Sequence, residues 1–399
     1  MFNKIRKVTS SILSIIFPYR KVKYYDGINI NSNIILENKT LIENMRVNND
    51  LQKTNSCVWF LPKLINIHAG GTATIFKIAN ELSIRNSCIN YFIFQTNVTS
   101  SWKKNIIKYY PNLKFEIITL SQGQKSIKDI PYSDVAFCTF WTTAYSLVSY
   151  NKCKKKFYLL QDDERLFYPS GSESVLVEGS YTFGFYGITN SHVIKSSYQA
   201  ISNAATLKYM PGINSSLLKI SDYKPSNNPT KIVVYGRPSN SRNVFELLAN
   251  VLSSIAIELG NRVKISIVGE DFSQKDYKLP PEINILGNVS NTDDIISLYS
   301  DADIGISYIS TPTISYQQLD ILSAGRCLVS IKNGEIENIF NKDEVVFVSN
   351  YPEIMKEEII DLINDKERIA RTALNGRIAV RELDWDKTLS NICNFIETI

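Results

Sequence analysis

Two α/β domains, each a parallel sheet doubly wound with helices, are the architecture that this sequence predicts. Three observations carry the expectation. The 399 residues exceed what one hydrophobic core usually serves. Strand-like runs alternate with helical spacing through two separate stretches. Between those stretches lies KISDYKPSNNPT at 219–230, whose prolines among Ser and Asn support no regular element. With 44% apolar and 21% charged residues, the chain has enough apolar surface to offset the entropy of ordering it.

The first domain is expected over 55–220. CVWFLP at 57–62 reads as a buried strand, and after a loop ending in Gly70 and Gly71 the segment 72–86 has helical spacing through Ile75, Ile78, Ala79 and Leu82. Further strands are expected at 91–94, 115–118, 135–138 and 157–160. The second domain is expected over 221–384, with strands at 231–235, 264–268, 284–287, 304–307 and 327–330 and an apolar-periodic helix over 244–259. A terminal helix over 385–399 is placed to cross back onto the first half. In open sheets of this kind ligands bind outside the carboxyl ends of the strands, so function is sought there.

The formal charge of +5 sits at one end. Lys4, Arg6, Lys7, Arg20, Lys21 and Lys23 all precede the first acid, Asp26, and the rest of the chain carries a net charge near −1. That near-neutral body disfavours nucleic acid as a partner. The apolar run at 8–17 is shorter than the roughly 20 residues of a membrane-spanning helix, and FPYRK follows it instead of a cleavage site. Two readings stay open: a short helix packed on the protein, or an amphipathic anchor on an anionic cytoplasmic leaflet. Residues 26–54 read as a polar, extended lead-in with little core of its own, completing an N-terminal segment over 1–54. The six cysteines show no C-x-x-C spacing and read as buried free thiols in a reducing, cytoplasmic compartment.

Two loops have the address for chemistry. YGRPSNSRN at 235–243 follows a strand and precedes a helix. Gly236 lets backbone approach a ligand, Arg237 and Arg242 can fork onto phosphate oxygens, and the coming helix N-terminus adds partial positive charge. The loop lacks both G-x-G-x-x-G and the P-loop pattern. In STPTISYQQLDILSAG at 310–325, backbone amides at a helix start can hold a diphosphate, while Asp320 can accept hydrogen bonds from ribose hydroxyls. Asp162, Asp163 and Glu164 follow a strand, so one of the three is expected in the cleft as a base or a hydroxyl partner. No cluster has metal-ligand spacing, and no Ser-His-Asp order or nucleophile elbow is present. Trp141, Tyr168 and Tyr316 are candidates to stack on sugar or base.

The sequence resembles the GT-B glycosyltransferases of bacterial surface-polysaccharide synthesis, particularly rhamnosyltransferases that use a dTDP-rhamnose donor. The resemblance covers about residues 56–390 and rests on ordered motifs: Y-G-R-P at 235–238, R-N at 242–243, V-G-E at 268–270, L-G-N-V at 286–289 and S-Y-Q-Q-L-D at 315–320. The first half is similar in Gly70-Gly71 and in Q-D-D-E at 161–164 followed by F-Y-P. The resemblance implies donor contacts at Gly236, Arg237, Arg242, Gly269, Gly287, Ser315, Tyr316, Leu319 and Asp320. It implies a diphosphate-facing loop at Gly70 and Gly71, with His68 beside it as a catalytic candidate along with the three acids. Related retaining enzymes carry two glutamates eight apart, where this chain has Pro312 and Asp320. The implied activity is transfer of rhamnose to a glycan or lipid-linked glycan acceptor, with retention and with no metal or cofactor. Ile314 and Tyr316 suit a sugar methyl group. The alternatives are a nucleotide-sugar epimerase of the same fold and a non-catalytic nucleotide-sugar-binding subunit.

Overall fold

A computed structural model describes residues 32–47, 51–62, 70–95, 98, 100–120, 126–225, 229–289 and 291–399. The first domain holds β1 (Ser56–Leu61), α2 (Gly70–Asn86), β2 (Ile89–Phe94), α3 (Ser100–Tyr109), β3 (Phe115–Thr119), β4 (Ser133–Cys138), α4 (Trp141–Val148), β5 (Cys153–Leu160), α5 (Ser172–Tyr181), β6 (Tyr186–Thr189), α6 (His192–Ser202) and β7 (Thr206–Lys208), preceded by α1 (Ser32–Val47). Its strands pair in parallel in the order β3-β2-β1-β4-β5-β6-β7. In-register aromatic residues form a row across this sheet. Trp59 stacks on Phe137 at 4.2 Å and Phe137 on Phe157 at 5.0 Å, so much of the aromatic content is core.

The second domain holds β8 (Thr230–Gly236), α7 (Phe245–Leu259), β9 (Val263–Gly269), β10 (Asn284–Gly287), α8 (Thr292–Asp301), β11 (Ile304–Ile306), α9 (Tyr316–Ser323), β12 (Cys327–Ile331), α10 (Ile336–Ile339), β13 (Val346–Val348), α11 (Pro352–Asn364) and α12 (Lys366–Val380). Its parallel order is β10-β9-β8-β11-β12-β13. The connections reverse direction between β1 and β4 in one sheet and between β8 and β11 in the other, which makes two switch points.

The last helix, α13 (Trp385–Thr398), crosses back. Leu389, Ile392, Cys393 and Ile396 are buried in the first-domain core. The buried Lys155 on β5 donates to the Ile396 and Glu397 carbonyls at 3.0 and 3.2 Å, setting a cation at the negative end of the helix. All six cysteines are buried and free, as the sequence predicts.

The lead-in departs from its expectation. Residues 32–47 form α1, with Ile42 buried in the first-domain core and Arg46 donating to the Gly184 and Asn203 carbonyls. Asn38 hides the periodicity: it occupies a buried position and is satisfied by Asn151 Nδ2 at 2.5 Å, so a polar residue stands where the pattern calls for an apolar one. Residues 1–25, read either as a packed helix or as an anchor, lie outside the described residues.

Candidate functional site

Loops from the carboxyl ends of both sheets meet across a cleft. On the second-domain side, the loop after β8 and the loop after β11 flank that sheet's switch point. They are tied together by Ser310 N donating to the Arg242 carbonyl at 2.8 Å and Asn243 Nδ2 to the Tyr308 carbonyl at 3.0 Å. Arg237 is exposed beside the Tyr235 hydroxyl. Arg242 reaches the first domain, with its guanidinium carbon 3.7 Å from the Phe167 ring centroid and Nε 3.2 Å from Asp162 Oδ2.

Helix α9 starts at the cleft because Ser315 and Gln318 form a reciprocal cap. Ser315 Oγ accepts from Gln318 N, and Gln318 Oε1 accepts from Ser315 N at 2.9 Å. Gln318 Nε2 also binds the Ser307 carbonyl and Ser330 Oγ, which fixes the helix start against β11 and β12. Five residues into the motif, Asp320 is half-buried with no cation or hydrogen-bond donor on its carboxylate among the described residues. Burial pushes its pKa up to about 7. A carboxylate without a protein partner on the helix that starts at the cleft suits a ligand hydroxyl.

The first domain supplies the opposite wall. Gly70 opens α2, and a side chain there would come within 2.2 Å of the Tyr316 ring. Tyr316 stacks on Trp385 and its hydroxyl bonds Thr74. The N-termini of α2 and α9 therefore face the same cleft. Gln161 joins three pieces: its Nε2 donates to the Gly71 carbonyl at 2.9 Å, and its own carbonyl accepts from Thr313 Oγ1 at 3.3 Å. Thr313 also donates to Asn190 at 3.1 Å.

The three acids separate by environment. Asp163 caps the turn after it and binds Arg165 through both oxygens, at 2.9 and 2.6 Å. Glu164 points into the first-domain core, where Oε2 accepts from Trp141 N at 2.6 Å and from the Tyr158 hydroxyl at 3.0 Å, and burial pushes its pKa up to about 8. Asp163 and Glu164 thus do not meet the cleft, contrary to their candidate role. Asp162 does: it faces Arg242 and Thr311, and burial raises its pKa while Arg242 opposes the rise.

Other candidates move as well. Leu319 is core of the second domain, and Ile314 lies in the same cluster, so neither lines a pocket. Trp141 is buried with Nε1 donating to the Tyr168 hydroxyl, and Tyr316 is engaged by Gly70, Thr74 and Trp385. The stacking role and the methyl-pocket argument for rhamnose lose their residues. Gly236 leaves room for Ile267 and Phe245, Gly269 for the Gly236 carbonyl and Gly287 for Asp271, so packing alone accounts for each. His68 lies outside the described residues. Among the described residues, no three His, Cys, Asp or Glu side chains form a ligand cluster.

Sequence reasoning missed Glu335. Its fully buried carboxylate crosses from the second domain to cap α6, accepting from His192 N at 2.8 Å, Ser191 Oγ at 3.1 Å and Val193 N at 3.3 Å. The trace in the sequence was N-G-E at 333–335, one residue past the end of a strand. A separate concavity of about 480 Å³ beside edge strand β10, between Phe272, Pro281 and Ile285, involves none of these groups.

Residues 230–355 match the family described as WsaF, C-terminal domain. The chain is 24% identical over 344 residues to the O-antigen biosynthesis protein RfbC of Myxococcus xanthus, covering 85% of this chain and 27% of that protein. It thus spans about a quarter of that relative's length. In three dimensions it is similar to Anabaena Alr3699/HepE in complex with UDP-glucose, with a TM-score of 0.67 and 14% identity over 86% of this chain and 100% of that one. TarM gives a TM-score of 0.65 at 9% identity over 86% and 99%. Two facing doubly wound parallel sheets with a returning terminal helix, together with these likenesses, show that the chain has the GT-B fold, and its second half carries the match to the WsaF C-terminal domain.

Proposed function

We propose that this protein is a glycosyltransferase of polysaccharide biosynthesis that takes a sugar from a nucleoside diphosphate donor and passes it to a glycan or lipid-linked glycan acceptor. One observation carries the reading: Arg242, with the charge of Arg237 reaching it, and the start of α9 converge on a cleft that the first domain closes with the start of α2 and Asp162. Charge develops on the leaving diphosphate, and two guanidiniums with helix amides offset it without a metal. Asp320 receives the ribose hydroxyls. Asp162 is the carboxylate available to an acceptor or sugar hydroxyl. HepE was crystallised with UDP and with UDP-glucose, which supports a nucleotide-sugar donor. The finer assignment, dTDP-rhamnose with retention at the anomeric carbon, rests on the ordered motifs alone.

A transfer assay with dTDP-rhamnose, UDP-glucose and GDP-mannose, each with and without a glycan acceptor, tests this. Acceptor-dependent donor consumption is expected. Consumption without acceptor favours an epimerase, and binding without turnover favours a supporting subunit. We place the protein at the cytoplasmic face of the membrane through residues 1–25. Loss of pelleting with anionic vesicles on their removal is the expected result, and a full-length protein that never pellets rejects it.

A further inference from the structure

Arg242 belongs to the second domain, yet the two side chains set against its guanidinium come from the first. Phe167 lies under it at 3.7 Å, and Asp162 Oδ2 is 3.2 Å from Nε. The pairing is close but misaligned. Nε is buried without a hydrogen-bond partner, and the guanidinium donates no hydrogen bond among the described residues. The side chain is 24% exposed, and Nε is the guanidinium nitrogen shut away from water. A guanidinium has five donors in a planar fork that suits two oxygens of one anion, and here it has a single poorly directed contact. The other charged or ionisable groups whose fields reach it are Arg237, Glu164 and Tyr168.

We propose that Arg242 is handed over when the donor binds: Asp162 and Phe167 hold it at the cleft in the empty protein, and the diphosphate then takes the guanidinium from Asp162. This rests on the reading of the cleft as a nucleoside diphosphate sugar site. The exchange is favoured because a misaligned single contact gives way to a forked, charge-assisted one. Phe167 keeps its place throughout, since a ring face holds the cation whichever anion pairs with it. The consequence is an order of binding. Asp162 becomes free to meet an acceptor or sugar hydroxyl only after the donor has claimed its partner. Asp162 and Phe167 are thus positioning residues for Arg242, placed on the opposite domain so that donor capture releases the ion pair between the domains while the ring keeps the guanidinium in place.

Titration calorimetry with UDP and dTDP, compared with UMP and dTMP, tests the exchange. Asp162→Asn removes the competing anion and should tighten diphosphate binding about fivefold while changing monophosphate binding less than about twofold. Phe167→Leu keeps apolar volume but loses the ring face, and should weaken diphosphate binding about fivefold with the same small monophosphate effect. A purely structural role would move both nucleotide classes together. Asp162→Ser serves as a second variant should the asparagine protein misfold. If Asp162→Asn weakens diphosphate binding or leaves it unchanged relative to monophosphate, the handover is wrong and the donor site stands. If the wild type binds none of the four nucleotides, the donor-site reading fails and the handover falls with it.

Discussion

Replacing Glu164 by Gln should flatten the alkaline decline in stability of the first domain. The carboxyl is 3% exposed at the start of α4, with Trp141 N and the Tyr158 hydroxyl both donating to Oε2. Those two donors favour the charged form, but burial outweighs them and the pKa rises to about 8. In the unfolded chain it is about 4.3. The folded state therefore binds the extra proton between those values, and stability falls as pH rises through the folded pKa. From pH 7 to pH 9 the loss is about 1.4 kcal/mol for a group titrating near 8, or about 4 °C in melting temperature for a domain of this size. Glutamine keeps an oxygen for both donors and does not titrate. Calorimetric melting of both proteins at pH 7, 8 and 9 measures the difference. Parallel pH courses for wild type and Glu164→Gln would show that Glu164 is ionised throughout and refute the argument.

Arg237→Ala removes an exposed cation at the mouth of the cleft and should weaken donor use by about 2 kcal/mol with folding intact, read from donor kcat/KM. Unchanged kinetics would remove Arg237 from the donor contacts. Gly70→Ala forces a methyl group against the Tyr316 ring, at an overpacking cost of about 1–3 kcal/mol, and should lower transfer by holding the domains apart. Adding Tyr316→Ala should restore part of the loss because it removes the clash. If the double variant is as impaired as Gly70→Ala alone, the ring is not the obstacle.

Much of the architecture was legible because parallel strands covered on both faces read as continuous apolar runs. IVV at 232–234 and FYLL at 157–160 stand out on composition alone, and each lies inside an observed strand. Strands β6, β7 and β13 escaped, and not for their length, since β10 and β11 are as short and were expected; YGIT and TLK are simply not apolar runs. Near the cleft, the sequence put Arg242 on the turn after β8, Ser315 at a helix cap and Asp320 in the helix that follows, because strand, loop and cap are local signals. It could not separate Asp162 from Asp163 and Glu164. Their difference lies in partners distant in sequence: Arg242 for the first and Trp141 with Tyr158 for the third, while Asp163 finds Arg165 two residues on. Leu319 was misassigned for a related reason, since a helix beginning at a cleft still buries one face in its own domain.

The cross-domain contacts also say where the molecule can bend. Those around the cleft are mainly polar, Asp162 with Arg242, Thr313 with Gln161 and Asn190, and Glu335 with the start of α6, with two rings added, Phe167 under Arg242 and Tyr316 against Gly70 and Trp385. Interfaces of that kind separate without exposing a core. By contrast α13 is apolar where it meets the first domain and cannot leave it cheaply, while α12 packs in the second. The change of domain at the end of the chain therefore falls in the few residues between them, around Leu383 and Asp384. The other chain crossing lies between β7 and β8. The two are adjacent, because Ile213 N donates to the Leu383 carbonyl at 3.3 Å and Gly212 lets the backbone of Trp385 pack directly against it. A side chain at Gly212 would come within 2.3 Å of Trp385 N. Two crossings held side by side act as one hinge, so opening of the cleft pivots there.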